Sequence, residues 1–422
     1  MTGNGEGPKR PVPGFLPFLA ANFLAGDIQT GIMPLMSIDL LLGEHWRSRE
    51  VGIVLAFGSL VLLLFQPVAG HLADRLASKR AFFLVLATSF ATGCLLLHGH
   101  PSLWGALLAQ FFLGVAQGGI MPVLGAVAMG LVGSEGFPRL TGQAQGAGHA
   151  GSVFGAASVL LIALHGTYFS IFVYYALSSL LAGLILFGVP GGAIDPRRAR
   201  EMANEGEALP VSRVFSPSLF LFLLVLLIFF VANTAMLPLA GDKLSGIVLS
   251  ESPARVMAFL VLVTQAIMVP FSLLAPALVR RAKTGSVFLG LCLLVLALRG
   301  GLLSVTQSTG GILSGQVLDG TVMGVMSVVL PVLVAGFARG TGRFNLLQGI
   351  AGAVVSAGAS LSQLLSGHLL DLLGIDQTLL VLSAVALTGA ILAVLAWRSG
   401  ILSPPREEAV QDPDIDFGRR RH

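Results

Sequence analysis

Apolar stretches follow one another from Gly14 to Trp397, each closed by a short polar or glycine- and proline-containing break. Twelve can be drawn, at 14–42, 50–72, 81–99, 102–133, 143–165, 168–190, 218–240, 254–278, 286–305, 311–335, 344–368 and 377–397. A helix needs about 20 apolar residues to cross the hydrocarbon of a bilayer. No water is present there, so the backbone must satisfy itself within each segment. The pattern predicts an all-α membrane protein with twelve transmembrane helices. The first and fourth stretches are long enough to include turns at the membrane surface.

Composition supports this. Of 422 residues, 55% are hydrophobic and only 11% charged, with a mean hydropathy of +0.86; soluble domains carry about a quarter charged residues. The 53 glycines suit helices that approach closely in lipid. Cys94 and Cys292 lie inside apolar stretches and read as small core residues, with no disulfide framework. Residues 1–13 are polar, and the first apolar stretch is too long for the core of a cleavable signal.

Placement of charge predicts orientation. With the N-terminus inside, 20 of the 25 Lys+Arg fall in inner connections. Arg47, Arg49, Lys243 and Arg255 fall outside, and Arg299 lies within a span. The positive-inside rule then puts both termini in the cytoplasm. The net charge of +4 is thus a matter of topology, and no nucleic-acid partner is expected.

The longest inner connection, 191–217, divides the chain into 1–190 and 218–400, each with six spans, and leaves a tail at 401–422. That tail carries Asp412, Asp414 and Asp416 before Arg419-Arg420-Arg421 and reads as disordered. The two groups of six also resemble each other. Gln29-Thr30-Gly-Ile-Met-Pro34-Leu35 is echoed by Asn233-Thr234-Ala-Met-Leu-Pro238-Leu239, and Arg139-Leu-Thr141-Gly142 by Arg339-Gly-Thr341-Gly342. Offsets of 204 and 200 residues, read from those positions, are nearly half the chain. Duplication follows, with two pseudo-symmetric halves.

Between the second and third spans stands Gly70-His-Leu-Ala-Asp74-Arg75-Leu-Ala-Ser-Lys79-Arg80. Gly70 offers a flat surface to a neighbouring helix. Asp74 sits at a helix end, where it can complement the unpaired N–H groups of a helix N-terminus. Arg75, Lys79 and Arg80 hold the turn in the cytoplasm and can pair with Asp74 or with lipid phosphates. The pattern G-x-x-x-D-R-x-x-x-K-R resembles the loop between helices 2 and 3 of the major facilitator superfamily (MFS) of secondary transporters. That resemblance implies the fold of two six-helix bundles, and a gating role for Gly70, Asp74, Arg75, Lys79 and Arg80 in the exchange between inward- and outward-facing states. The chain departs from the family pattern at Ala77 and Ser78, where Gly-Arg is usual. Its second-half loop, Ala275 to Lys283, keeps basic residues but no acid, so the interlock is expected to be stronger in one half.

Other family motifs are degraded. Gly114 stands where many members carry arginine, and Ala147 where the antiporter signature has proline. The stretch from Gln143 to Ser152, and that from Gly340 to Gly349, resemble a subgroup of bacterial permeases often labelled efflux proteins. The resemblance implies a bacterial inner-membrane protein, and 21 arginines against 4 lysines agree with a GC-rich bacterial genome.

Polar groups inside spans are the candidates for chemistry. Asp27 lies near the middle of the first span, where an ionised carboxylate costs about 2.5–3.5 kcal/mol, which makes it a candidate to bind and release a proton. Phe23, Thr30, Gly31 and Pro34 share its helix face, whereas Gln29 lies about 200° around the helix. Pro34 and Pro238 each free a carbonyl one turn back, at Thr30 and Thr234, and paired breaks in two repeats point to a transport site. Asp319 and Arg299, in the outer half of the tenth and ninth spans, either neutralise each other or serve a solute. His149 reads as a proton relay, a solute contact or a plain hydrogen-bonded core residue. Asn233, Gln265, Asn345 and Gln348 are further hydrogen-bonding candidates.

No phosphate-binding glycine loop, spaced Cys/His cluster or nucleophile–base pair is visible, so no cofactor, metal or enzymatic activity is expected. The reading is a monomeric transporter of a small organic solute, coupled to protons, with export favoured. Uptake of a nutrient or metabolite is the nearest alternative, and a non-transporting membrane sensor a remote one.

Overall fold

The computed structural model describes residues 12–30, 46–99, 102–165, 168–202, 208–248, 253–282 and 285–399, together with residues 32, 36 and 40. Its elements are helices α1 (Phe15–Thr30), α2 (Ser48–Arg75), α3 (Lys79–Gly99), α4 (Leu103–His165) and α5 (Tyr168–Ile185). After a connecting segment come α6 (Val211–Val214), α7 (Pro217–Asn233), α8 (Met236–Ile247) and α9 (Pro253–Ala282), then α10 (Gly285–Val305), α11 (Thr309–Ala338), α12 (Phe344–Leu373) and α13 (Ile375–Arg398). Among the described residues, ten helices are long and apolar enough to cross a membrane. Pro34 lies outside the described residues, and so does the side chain of Thr30.

Local signals fix where these helices start and stop. Ser216 accepts from the N–H of Leu219 ahead of Pro217, and Ser308 from that of Gly311, each satisfying a donor that helix geometry leaves open. Gly374, at φ +79°, separates α12 from α13. The fourth and fifth apolar stretches differ from expectation. A polar connection is predicted at 134–142, yet helix continues through it, and only Gly133, at φ 64°, breaks α4 into arms 103–132 and 134–165. Helix continues through Pro138, five residues into the second arm, although a proline there cannot donate to the Ser134 carbonyl. The seventh stretch is broken as Pro238 predicts. Helix α7 ends at Asn233, α8 starts at Met236, and the N–H of Ala235 donates to Ser362 Oγ at 3.0 Å.

Packing is tight along glycine seams. Helix α1 lies on the second arm of α4, where a Cβ on Gly26 would strike the carbonyl of Gly148 and one on Gly151 that of Phe23. Helices before the connecting segment meet helices after it chiefly through α2 against α12 and through α4 against α9, α11 and α12. In the first of these, a side chain on Gly70 would run into the carbonyl of Asn345, as the flat surface predicted for Gly70 requires.

The connecting segment, predicted as a polar link, is a strap pinned to both sides. The N–H of Asp195 donates to the Gly130 carbonyl at 3.1 Å, and Asn345 Nδ2 donates to the Ala199 carbonyl at 2.9 Å. Met202 pairs with Gly340 and Thr341, and the N–H of Leu209 reaches the Thr341 carbonyl at 2.9 Å. Glu201, at φ 57°, is buried there. Burial holds its carboxyl above the usual glutamate range, against the opposing pull of a Ser134 hydrogen bond and the Arg339 charge. A raised acid pKa means that the folded state is most stable with Glu201 protonated. That stability declines as pH rises from the unfolded value through the folded one. Glu201→Gln is therefore expected to raise the apparent melting temperature near pH 8, with the gain vanishing as pH falls toward about 4. A gain that persists at low pH, or none at pH 8, contradicts this.

Candidate functional site

A cavity of about 430 Å³ lies between the two groups of helices. From α1 it receives Asn22, Gly26 and Gln29; from the second arm of α4, Gln145, His149 and Ser152. Both trios follow helical spacing, so each helix presents one polar stripe inward. The other side contributes Asn233 and Thr234 at the α7–α8 break, Thr264 and Gln265 of α9, and Asp319 of α11. Apolar surface comes from Met121, Met268, Met323, Phe230 and Leu237.

Two polar clusters organise it. Arg299 of α10 is 1% exposed. Its Nη1 lies 2.9 Å from Asp319 Oδ1 as an ion pair and donates to Asn233 Oδ1 at 2.8 Å. The two ions thus neutralise each other, and the proline-broken strand of chain at Asn233 is tied to them. Arg299 Nε and Nη2 find no hydrogen-bond acceptor among the described residues. Removing one member of such a buried pair strands the other, at a cost of about 3–5 kcal/mol. Across the cavity, His149 Nδ1 is 2.9 Å from Gln265 Oε1, a hydrogen bond from α4 to α9. Its direction depends on the histidine tautomer.

Asp27 stands elsewhere. It is 4% exposed and absent from the cavity wall. It accepts from Tyr174 Oη at 3.1 Å and Tyr175 Oη at 3.4 Å, both on α5. Gly155 of α4 makes room, since a Cβ there would strike the carboxylate. The opposite faces assigned to Asp27 and Gln29 are thus seen directly: Gln29 meets the cavity, and Asp27 meets the tyrosines. Gln348 is not in the main cavity either. It borders a recess of about 30 Å³ that shares Asn22, Met121, Ala144 and Gln145 with it and leads toward the α2–α3 turn. That space is about one water's share of the liquid.

At this end the passage is closed. Asp74 accepts from the backbone N–H of Asn345 (3.2 Å) and Leu346 (2.9 Å) and from Asn345 Nδ2 (2.9 Å). Those N–H groups belong to the first turn of α12, so the helix end that Asp74 complements lies 271 residues away in sequence. Phe137 of α4 stacks edge-on against Phe344 of α12, with centroids 5.4 Å apart. The basic residues divide the remaining work. Lys79 Nζ donates to the carbonyls of Ala73 and Leu76 and so closes the turn. Arg80 donates to the Val189 carbonyl at 2.8 Å and lies over the Phe187 ring. Arg75 is exposed, and its carbonyl accepts from Arg200 of the strap at 3.4 Å.

Asn22, Gln145 and Thr264 were not singled out individually by sequence reasoning. Their signal was available in part: Asn22-Gly26-Gln29 and Gln145-His149-Ser152 are polar residues at i, i+3/i+4 and i+7 within apolar helices. The pairing of Asp27 with Tyr174 and Tyr175 had no local signal.

A polar cavity shared between two groups of membrane helices, and pinched at one end by a cross-bundle interlock, is the arrangement of a secondary transporter. The sequence profile of the Major Facilitator Superfamily matches residues 18–353. The chain belongs to that family. It is 30% identical over 391 residues to an uncharacterized MFS-type transporter of Mycobacterium tuberculosis, covering 91% of this chain and 93% of the relative. Among solved structures it resembles the proton:xylose symporter XylE bound to 6-bromo-6-deoxy-D-glucose (TM-score 0.68, 13% identity, 91% of this chain and 94% of that one). It also resembles the human organic anion transporter MFSD10 (TM-score 0.65, 14% identity, 90% and 97%). At such identities the two structures speak for the fold.

Hydrogen bonds to a charged group contribute about 1.5–3 kcal/mol each, so Asp74→Ala should loosen the α2–α12 seam. With Cys94→Ala and Cys292→Ala as background, Leu346→Cys is expected to react with maleimide about tenfold faster once Asp74→Ala is added, a difference equivalent to about 1.4 kcal/mol. Equal labelling rates would show that Asp74 does not hold the seam.

Proposed function

We propose that this chain exports a small organic solute across a bacterial inner membrane by alternating access, driven by protons. In this reading the chain is a monomer of twelve spans. Residues 1–190 and 218–400 form the two bundles, the strap 191–217 joins them, and the basic end with both termini faces the cytoplasm. The observation that carries it is the cavity, lined from both sides and closed toward the basic end by contacts that are all non-covalent. Transport requires that Asp74 release the first turn of α12 and that the 30 Å³ recess widen.

Asp27 supplies the coupling site. Ionised, its carboxylate accepts from both tyrosine hydroxyls; protonated, it must donate to one acceptor, so the pattern around α5 changes with each proton. Because α1 carries Asp27 on one face and Asn22, Gly26 and Gln29 on the other, a shift of α1 along its glycine seam links the proton to the cavity. Uptake is the second reading. It is supported by Gly114 and Ala147, which stand where arginine and proline mark the antiporter motifs, and by the likeness in fold to a proton:xylose symporter.

Purified protein in liposomes under an imposed pH gradient tests both. Solute accumulation driven by the gradient is expected for the wild type, and its sign relative to the proton flux assigns the direction. Asp27→Asn is expected to reduce gradient-driven accumulation to the level of protein-free liposomes while leaving downhill solute exchange intact. Full accumulation by that variant removes Asp27 from the coupling role.

A further inference from the structure

We propose that the central cavity selects an uncharged solute that carries several hydrogen-bonding groups beside apolar surface, and that it discriminates against both organic cations and organic anions. This rests on the transporter reading above and specifies its substrate class.

The argument begins with charge. Among the described residues of the cavity wall, Asp319 is the one carboxylate, and neither lysine nor arginine takes part. An anionic solute would leave water without meeting a cation, a loss that burial of a charge makes severe. A cationic solute could turn only to Asp319, whose charge is already met by Arg299 at 2.9 Å. Taking that carboxylate would strand a guanidinium that is 1% exposed and already has Nε and Nη2 without acceptors. Neither ion gains what it loses. A neutral solute faces no such barrier.

Hydrogen-bonding capacity is plentiful by contrast. Gln29 of α1 and Gln145 of α4 both reach the cavity, are incompletely buried, and make no side-chain hydrogen bond to any described residue. Each carboxamide carries two N–H donors and a carbonyl acceptor, so hydroxyl, carbonyl and amide groups of a solute can be met in either sense. His149 is held by Gln265 through Nδ1, and its Nε2 is buried with no partner among the described residues. Met121, Met268, Met323 and Phe230 line the same cavity and add soft surface that adapts to apolar shapes. A volume of about 430 Å³ falls within the range of small-molecule pockets, about 300–1,000 Å³.

Two probe series separate the possibilities, each changing charge at a single position. One is phenyl β-D-glucoside, the phenyl glucuronide with a carboxylate at the same carbon, and the primary-amine analogue with an ammonium there. The other is a hydroxyphenyl propanamide, the matching propanoate and the matching propylamine. Binding to the full-length purified protein is measured by equilibrium dialysis near pH 7, alongside ligand-induced shifts in melting temperature.

In at least one series the uncharged member is expected to bind about tenfold or more tightly than either ion, a gap equivalent to about 1.4 kcal/mol. Gln29→Ala combined with Gln145→Ala should weaken it by a similar factor without lowering the melting temperature of the free protein. Gln145→Glu, which adds a carboxylate without an arginine behind it, should shift preference toward the amine. The proposal is overturned if an ion binds as tightly as the uncharged member, if the double glutamine variant binds unchanged, or if no probe of either series binds. Gradient-driven flux of a charged solute would overturn this proposal and leave the transporter reading standing. Selective binding of the uncharged probe with no gradient-driven flux of any solute would do the reverse.

Discussion

A charged group buried among membrane helices must find its partner inside the protein, because the lipid around them offers none. That requirement explains where each buried charged side chain in the described helices has gone. Asp27 accepts from two tyrosines, Asp74 from two backbone N–H groups and an amide, and Arg299 faces Asp319 and Asn233. Lys79 turns back onto two carbonyls of its own turn. Lys243, on α8, reaches Asp376 at the start of α13 and the Leu303 carbonyl at the end of α10. Each solution spans at least two turns or two helices, so polar groups that look like interruptions of the apolar pattern fasten the bundle together.

These fastenings differ in kind. Arg299–Asp319 and Lys243–Asp376 connect helices after the strap to one another, and Asp27 with its tyrosines connects helices before it. Asp74 and the His149–Gln265 hydrogen bond join one group to the other. The rocking motion proposed for transport would leave the first class intact and act on the second. The strap belongs to the second class as well, since it is hydrogen-bonded to α4 at Gly130 and to the start of α12 at Asn345. The stretch Ala275 to Lys283 has no acid to match Asp74, so the carboxylate interlock described for α2 and α12 has no counterpart there.

Much of the fold was legible because its causes are local. Apolar runs give the helices, Pro238 gives the break after Asn233, and Gly70 gives the close approach. The role of Asp74 was legible in chemistry but not in partner: a carboxylate at a helix end suits open N–H groups, yet nothing near residue 74 says that they belong to α12. The site was less legible for the same reason. Spacing placed Asp27 and Gln29 on opposite faces, but which face meets the cavity depends on how α1 is rotated against α4 and α5, and that is set by glycines 148, 151 and 155 more than a hundred residues on. For Asp319 and Arg299 the sequence left two readings open, a mutual pair or a solute contact, and the 2.9 Å ion pair favours the first.

Helix α4 shows one more consequence of this construction. Its two arms are separated by Gly133 alone, so the chain has no slack between the wall at Met121 and the stripe at Gln145, His149 and Ser152. A helix turns about 100° per residue. One added or missing residue beyond Gly133 would therefore carry that stripe round to face other helices or lipid, and with it the glycines that seat α1. The length of this joint is thus as much a part of the binding surface as the side chains that line it. Exchange of side chains in this region leaves that register intact, whereas a change in residue count does not.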